Sequence, residues 1–203
     1  MILSKYNKLN ITFCGMMGSG KSIIGSKFAK IIKFDFIDTD ALIEEKTGKS
    51  INEIFDKFGE VYFRELEEKY ISKILFKKNY VISLGGGVMN NIRLRNIIKK
   101  KSFNIYLYVN NSILLKRLET SHKRPLIKNT DIKQTIDQLI KKREQYYKKA
   151  DLEIKNCQTI KETINELKEQ TESDDGIDGI IIAAIGLGIS GIALGAASLA
   201  KKK

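Results

Sequence analysis

A short run near the start of the chain, GMMGSGKS from Gly15 to Ser22, has the residue types and spacing of a phosphate-binding loop. Its glycines allow backbone N–H groups to turn towards a phosphate, and the N-terminus of a following helix adds a partial positive charge. Lys21 supplies a full positive charge for the β- and γ-phosphates, and the Ser22 hydroxyl can ligate Mg²⁺. The residues predicted to bind nucleotide are Gly15, Gly18, Ser19, Gly20, Lys21 and Ser22.

This loop alone indicates a nucleoside triphosphate and does not separate kinases from ATPases or GTPases. The N-K-x-D pattern that reads guanine in GTPases does not occur in the sequence. An ordinary glycine-rich turn before a helix is the competing interpretation. The context argues against it, because a buried strand is predicted before the loop at 10–14 and apolar residues recur at helical spacing after it. A nucleoside triphosphate with Mg²⁺ is therefore predicted to bind this loop.

Two carboxylates, Asp38 and Asp40, directly follow a second predicted strand. Ligands bind at the carboxyl ends of strands in open parallel sheets, so this pair is expected beside the phosphate loop. We predict that Asp38 holds Mg²⁺ through water and that Asp40 orients an acceptor hydroxyl for attack. The alternative is a pair of acidic residues capping a helix N-terminus.

Strands alternate with helices along the body of the chain. Strands are predicted at 10–14, 34–37, 80–84, 103–109 and 152–154, and helices follow each of them. Ser50 and Glu53 have the spacing of a capping box, which predicts a helix ending near Gly59, followed by a second helix over 61–77. This alternation predicts an α/β fold, a three-layer sandwich with a mainly parallel five-stranded sheet.

A stretch without apolar period, 122–130, contains Arg124 and the single proline, Pro125. We interpret it as a mobile lid that closes over the phosphates, with Arg124 stabilising the charge that develops during transfer. A polar helix is predicted after it, at 132–149, and a last helix at 159–169.

The end of the chain differs from the body in composition. The organisation predicted is a body over 1–170, a polar linker over 171–178 and an apolar tail over 179–203. No charged residue occurs from Gly179 to Ala200, and three lysines follow. Such a length is enough to span a bilayer, so a C-terminal apolar helix with membrane contact through 179–200 is one interpretation. An interfacial or self-associating helix and an unrelated extension are the others.

Composition limits the classes of function. The chain has 203 residues and a net charge of +12, but its lysines are scattered and no nucleic-acid-binding motif accompanies them, so we predict no nucleic-acid partner. The two cysteines, Cys14 and Cys157, form no C-x-x-C pair, and no signal-peptide pattern opens the chain, which favours a cytoplasmic location. The body is expected to be monomeric.

The order of motifs over about 10–167 resembles the shikimate kinase family. The matching features are the phosphate loop, D-T-D at 38–40, F-R-x-x-E around Arg64, G-G-G at 85–87, R-P-L at 124–126 and the helix of Arg143. The resemblance implies a P-loop kinase-like fold and transfer of the γ-phosphoryl group of ATP to the 3-hydroxyl of shikimate. A related small-molecule kinase such as a gluconate kinase, and an inactive membrane-anchored nucleotide-binding regulator, are the alternatives.

The resemblance also implies the roles of individual residues. Those implied to be catalytic are Lys21, Asp40 and Arg124, with Arg124 also contacting nucleotide. Those implied to bind shikimate are Asp40, Arg64, Gly85, Gly86, Gly87 and Arg143. The two arginines suit the carboxylate of shikimate, because a guanidinium group can donate to both of its oxygens. Ser22 and Asp38 are implied at the metal.

Two features depart from the family pattern. Residues 144–147 replace its usual Pro-Leu-Tyr continuation after Arg143, and no arginine stands at 156–158, where the family often packs one on adenine.

Overall fold

The computed structural model describes residues 8–119, 132–156 and 159–172. Five strands form one sheet: β1 (Asn10–Cys14), β2 (Asp35–Asp38), β3 (Tyr80–Ser83), β4 (Ser102–Tyr108) and β5 (Leu152–Lys155). Seven helices occur in the described residues: α1 (Lys21–Ile32), α2 (Thr39–Thr47), α3 (Ile51–Leu75), α4 (Ile92–Lys101), α5 (Asn111–Glu119), α6 (Ile132–Tyr147) and α7 (Ile160–Glu172). A 3₁₀ turn spans Val88–Asn90.

The sheet order is β2-β3-β1-β4-β5, and every pairing is parallel. The predicted α/β architecture is therefore confirmed, and the sheet is fully parallel where the sequence analysis expected mainly parallel pairing. All five strands end at one edge. The strand β1 lies between β3 and β4, so the loop that follows it opens at the point where the chain order changes direction, the usual ligand crevice of such sheets.

Alternate residues of the strands bury two separate apolar faces. One face carries Phe13 and Val81 against α1 and α7, and the other carries Cys14, Ile82 and Tyr106 against α3 to α6. Both faces are covered, as parallel sheets require. The sheet is thus a rigid base for the loops at its carboxyl edge.

A third, smaller core lies outside the two layers. Ile43 of α2 packs with Ile54, Phe63 and Leu66 of α3. The Ser50 capping box that starts α3 is present, with both of its hydrogen bonds. Gly59 has a non-helical backbone (φ 79°, ψ 175°), so the two predicted helices form one run with a kink. The kinked helix forms one side of the pocket described below.

The predicted apolar tail lies outside the described residues, as does the stretch with Arg124 and Pro125. Within the described ranges, no helix combines the length and the apolar composition that a membrane crossing needs.

Candidate active site

The phosphate loop joins β1 to α1, as the motif predicts. Lys21 is the first residue of α1 and is 8% exposed. Its ammonium group donates to the carbonyl oxygens of Gly15 (3.0 Å) and Met16 (2.8 Å). The positive charge of Lys21 thus lies at the concave side of the loop, where the N-terminal N–H groups of α1 also converge. This arrangement fits an anionic phosphate chain.

The two predicted metal ligands are neighbours. The Ser22 hydroxyl donates to Asp38 Oδ2 at 2.5 Å, and Ser83 Oγ lies 3.4 Å from Ser22 Oγ. The other oxygen of Asp38 accepts from the N–H groups of Asp40 and Ala41, so Asp38 also caps α2. Hydroxyl and carboxylate oxygens are the donors that Mg²⁺ prefers, so these residues fit that ion. Among the described residues, no group of three or more acidic, histidine or cysteine side chains is arranged to hold a metal ion.

Thr39, between the two aspartates, connects α2 to the glycine-rich segment after β3. Its side chain is fully buried, and its hydroxyl accepts the N–H of Gly85 at 2.8 Å. This bond places Asp40 beside the glycines. Neither Thr39 nor Ser83 was predicted from sequence to belong to the site.

The glycine segment 85–87 is the point where the predicted acceptor residues meet. A Cβ on the first glycine would lie 2.7 Å from Asp40 Oδ1. On the second it would lie 3.4 Å from Arg143 Nη1, and on the third 2.7 Å from Arg64 Cζ. Side chains here would therefore displace the charged groups, and glycine permits their close approach. The structure brings all the predicted acceptor residues of the described chain into one pocket.

Arg64 projects from α3 and is held by two carboxylates. It donates to Glu67 Oε2 (2.6 Å) and to Glu60 Oε1 (2.7 and 3.1 Å). Its side chain stays 25% exposed and lies over the ring of Phe63. Arg64 is thus both an ion-paired helix residue and a cation at the pocket.

Glu67 is a site residue that the sequence analysis missed. It is 2% exposed, and its Oε1 has no hydrogen-bond partner among the described residues. Burial raises the pKa of Glu67 to about 7, although Arg64 opposes this shift, and Asp40 adds to it. Two sequence signals marked it: it ends the F-R-x-x-E motif, and it lies three residues after Arg64, which places both on one helix face.

Arg143 enters from α6 and is 3% exposed. Its Nε finds no hydrogen-bond partner within the described chain, and the residue lines the pocket. One turn later, the Tyr147 hydroxyl donates to the carbonyl oxygen of Gly86, and its ring stacks on Tyr106 at 5.4 Å. Tyr147 therefore fixes α6 against the glycine segment without the proline of the family pattern.

The pocket combines a charged floor with an apolar wall. It is lined by Met17, Asp40, Ile51, Phe55, Phe63, Arg64, Glu67, Gly85, Gly86, Gly87 and Arg143. The rings of Phe55 and Phe63 pack at 4.9 Å and form the wall. Such a pocket suits a small anion that has hydroxyl groups and a carbon ring.

An arginine reaches the end of β5 from another part of the chain. Arg117 of α5 donates to the carbonyl oxygens of Gly18 (3.2 Å) and Asn156 (3.4 Å). Residues 156–158 contain no arginine, whereas Arg117 comes close to Asn156 only through the fold.

Comparison with known proteins agrees with this geometry. The family model described as shikimate kinase matches residues 17–172, more than half of the chain. A shikimate kinase of Clostridium botulinum (strain ATCC 19397 / Type A) is 47% identical over 145 residues, which cover 70% of this chain and 84% of that protein.

Solved structures give the same result for the fold. Shikimate kinase from Acinetobacter baumannii, in complex with shikimate, superposes with a TM-score of 0.77 at 29% identity, covering 83% of this chain and 94% of that one. A gluconokinase from Sinorhizobium meliloti reaches a TM-score of 0.56 at 15% identity, covering 90% of this chain and 96% of that one, and so shares the fold alone.

Proposed function

The chain belongs to the shikimate kinase family, and from this premise we propose which of its residues carry out the phosphorylation of shikimate by ATP. The transfer to the 3-hydroxyl is part of the proposal. One observation carries it: Asp40, Arg64 and Arg143 each lie against a glycine of segment 85–87, in a pocket beside the phosphate loop.

The acceptor pocket matches the chemistry of shikimate, a ring carboxylate with three hydroxyl groups. The guanidinium groups of Arg64 and Arg143 bind the carboxylate, because a planar fork can donate to both of its oxygens. Asp40 accepts a hydrogen bond from the attacking hydroxyl and orients it. Phe55 and Phe63 contact the carbon ring.

The phosphate side acts by position and charge. Lys21 and the loop amides hold the phosphates of ATP, and no group of the chain forms a covalent intermediate. Ser22 and Asp38 would hold Mg²⁺, which neutralises phosphate charge when bound. Arg124 of the lid is proposed to contact the phosphates from the resemblance alone, since it lies outside the described residues.

An ADP-release assay tests the proposed reaction. The purified chain should release ADP rapidly only when shikimate, ATP and Mg²⁺ are all present, and gluconate should not replace shikimate. Release with gluconate instead would favour the related kinase, and ATP binding without turnover on either acid would favour the inactive regulator. The family comparisons already favour shikimate over gluconate.

We expect shikimate binding to take up a proton through Glu67. The pKa of this carboxyl is about 7, and a substrate carboxylate held beside it by Arg64 raises the pKa further. The complex then holds more protons than the free protein, so affinity should rise as pH falls from about 8 to about 6, by at most about tenfold per unit.

Calorimetry at pH 7 in buffers of different ionisation enthalpy measures this uptake directly. In Glu67→Gln the uptake should disappear, while Glu65→Gln, on the exposed side of the same helix, should keep it. A wild-type protein that binds shikimate without proton exchange would contradict the role of Glu67.

The location of the protein is proposed from sequence. The kinase body is proposed to be a cytoplasmic monomer, and any membrane contact is assigned to 179–200, which has no charged residue. Cell fractionation of the full chain and a 1–170 form tests the anchor, because only the full chain should sediment with membranes. Equal partition of both forms into the soluble fraction would rule the anchor out.

A further inference from the structure

We propose that Asn156 is a positioning residue for phosphate transfer, whose side-chain amide orients the Ser19–Gly20 peptide of the phosphate loop. The proposal rests on the nucleotide role of that loop proposed above. Asn156 follows β5 and lies 137 positions from Ser19 in sequence, yet its Nδ2 donates to the Ser19 carbonyl oxygen at 2.7 Å. No sequence motif marks this contact.

The peptide bond transmits the effect of this contact to the nucleotide. The peptide is planar and trans, so its C=O and N–H groups point in opposite directions. Holding the Ser19 carbonyl towards Asn156 therefore directs the Gly20 N–H away from Asn156 and towards the opposite side of the loop. Gly20 directly precedes α1, so its N–H lies at the N-terminus of this helix. An anion there is stabilised most by the partial positive charge of the helix terminus.

Gly20 is adapted to this contact. Its φ is 90°, and a Cβ at this position would lie 2.6 Å from Asn156 Nδ2. A side chain at 20 would therefore clash with the asparagine as well as strain the backbone. The contact of Asn156 with the loop thus requires glycine at position 20.

Asn156 makes three hydrogen bonds besides the one to Ser19, and in one of them its carbonyl oxygen accepts from Arg117. It is 3% exposed, its N–H donates to the Tyr108 carbonyl oxygen at 2.8 Å, and its Oδ1 accepts the hydroxyl of Thr163 at 2.8 Å. Thr163 lies on α7 and is also buried. Since the Ser19 carbonyl can only accept, the NH₂ end of the amide must face the loop and the oxygen must face Thr163. The sheet and α7 together therefore set the orientation of a donor in the phosphate site.

The test measures Mg²⁺-ADP affinity and steady-state kinetics of the full chain. Asn156→Ala should raise the Kd of ADP and the KM of ATP about tenfold, as expected for loss of one buried hydrogen bond. Asn156→Asp, similar in shape, should weaken nucleotide binding further, because a carboxylate oxygen then faces the Ser19 carbonyl. The KM of shikimate should stay within about twofold in both variants, since the acceptor pocket does not contact Asn156.

Asn10, a buried asparagine at the amino end of the central strand β1, provides the control. Asn10 binds the carbonyl oxygens of Leu75 and Lys77, so Asn10→Ala should lower Tm without a selective change in nucleotide binding. Thr163→Val removes the hydroxyl that donates to the Asn156 amide oxygen, together with its contact to the Thr159 carbonyl oxygen, and leaves the Asn156–Ser19 contact in place. It should therefore raise the Kd of ADP less than Asn156→Ala does.

Two outcomes separate this proposal from the function on which it rests. If wild-type protein binds ADP and both Asn156 variants bind it equally well, or lose affinity for both substrates in parallel as Tm falls, the positioning role is wrong and the kinase assignment stands. If wild-type protein binds no Mg²⁺-ADP, both are wrong.

Discussion

Lys21→Ala is expected to lower kcat by about 10³-fold at saturating ATP and shikimate. The ammonium group of Lys21 is held over the phosphate loop by the Gly15 and Met16 carbonyl oxygens, in an 8% exposed position. A preorganised charge in such a site stabilises the transferring phosphoryl group, and removing one group of this kind costs about 10²- to 10³-fold in rate. Steady-state ADP release measures the loss.

Lys30 provides a matched control for this substitution. It lies in the last turn of the same helix and is exposed, so Lys30→Ala should keep kcat within about twofold of wild type. Near-normal turnover of Lys21→Ala, with a wild-type Tm, would contradict the proposed phosphate site.

Arg64→Ala should raise the KM of shikimate about 100-fold and leave the KM of ATP nearly unchanged. Its guanidinium lies against the third glycine of segment 85–87, and a charge-assisted hydrogen bond is worth about 1.5–3 kcal/mol, or about 10- to 150-fold in affinity. Arg64→Lys should restore only part of the affinity, because an ammonium cannot meet a carboxylate bidentately.

Arg93 is the control for loss of an arginine. It is 80% exposed and pairs with Glu68, away from the pocket lining. Arg93→Ala should therefore leave both KM values at wild-type levels. An unchanged KM for shikimate in Arg64→Ala would remove this arginine from the acceptor site.

The local elements of this protein were readable from sequence. The strands were predicted to within one or two residues of their ends, and the capping box at Ser50 was predicted with its partner. These features depend on neighbours in the chain, such as apolar period, cap spacing and glycine position, so a single sequence carries them. The family resemblance then predicted that Asp40, Arg64 and Arg143 lie together at the acceptor site.

The helix-capping alternative at Asp38 does not exclude the proposed metal role. Asp38 caps α2 with one oxygen and accepts from Ser22 with the other. Arg64 is ion-paired on its helix and also faces the pocket. From sequence, two such roles look mutually exclusive because each residue is given one environment. In the structure, different atoms of one carboxylate or guanidinium group can bind different partners at the same time.

Residue type and local spacing were enough to predict the phosphate-binding loop and the α/β class, whereas Arg64 and Arg143 were assigned to the acceptor only through the family resemblance. The environment of Glu67, the approach of Arg117 and the contact of Asn156 with Ser19 became visible only in the folded chain. The physical reason is that burial and contacts between distant segments arise when helices pack on the sheet. That packing raises the pKa of Glu67 and directs the Asn156 amide, just after β5, at a loop more than a hundred residues away in sequence.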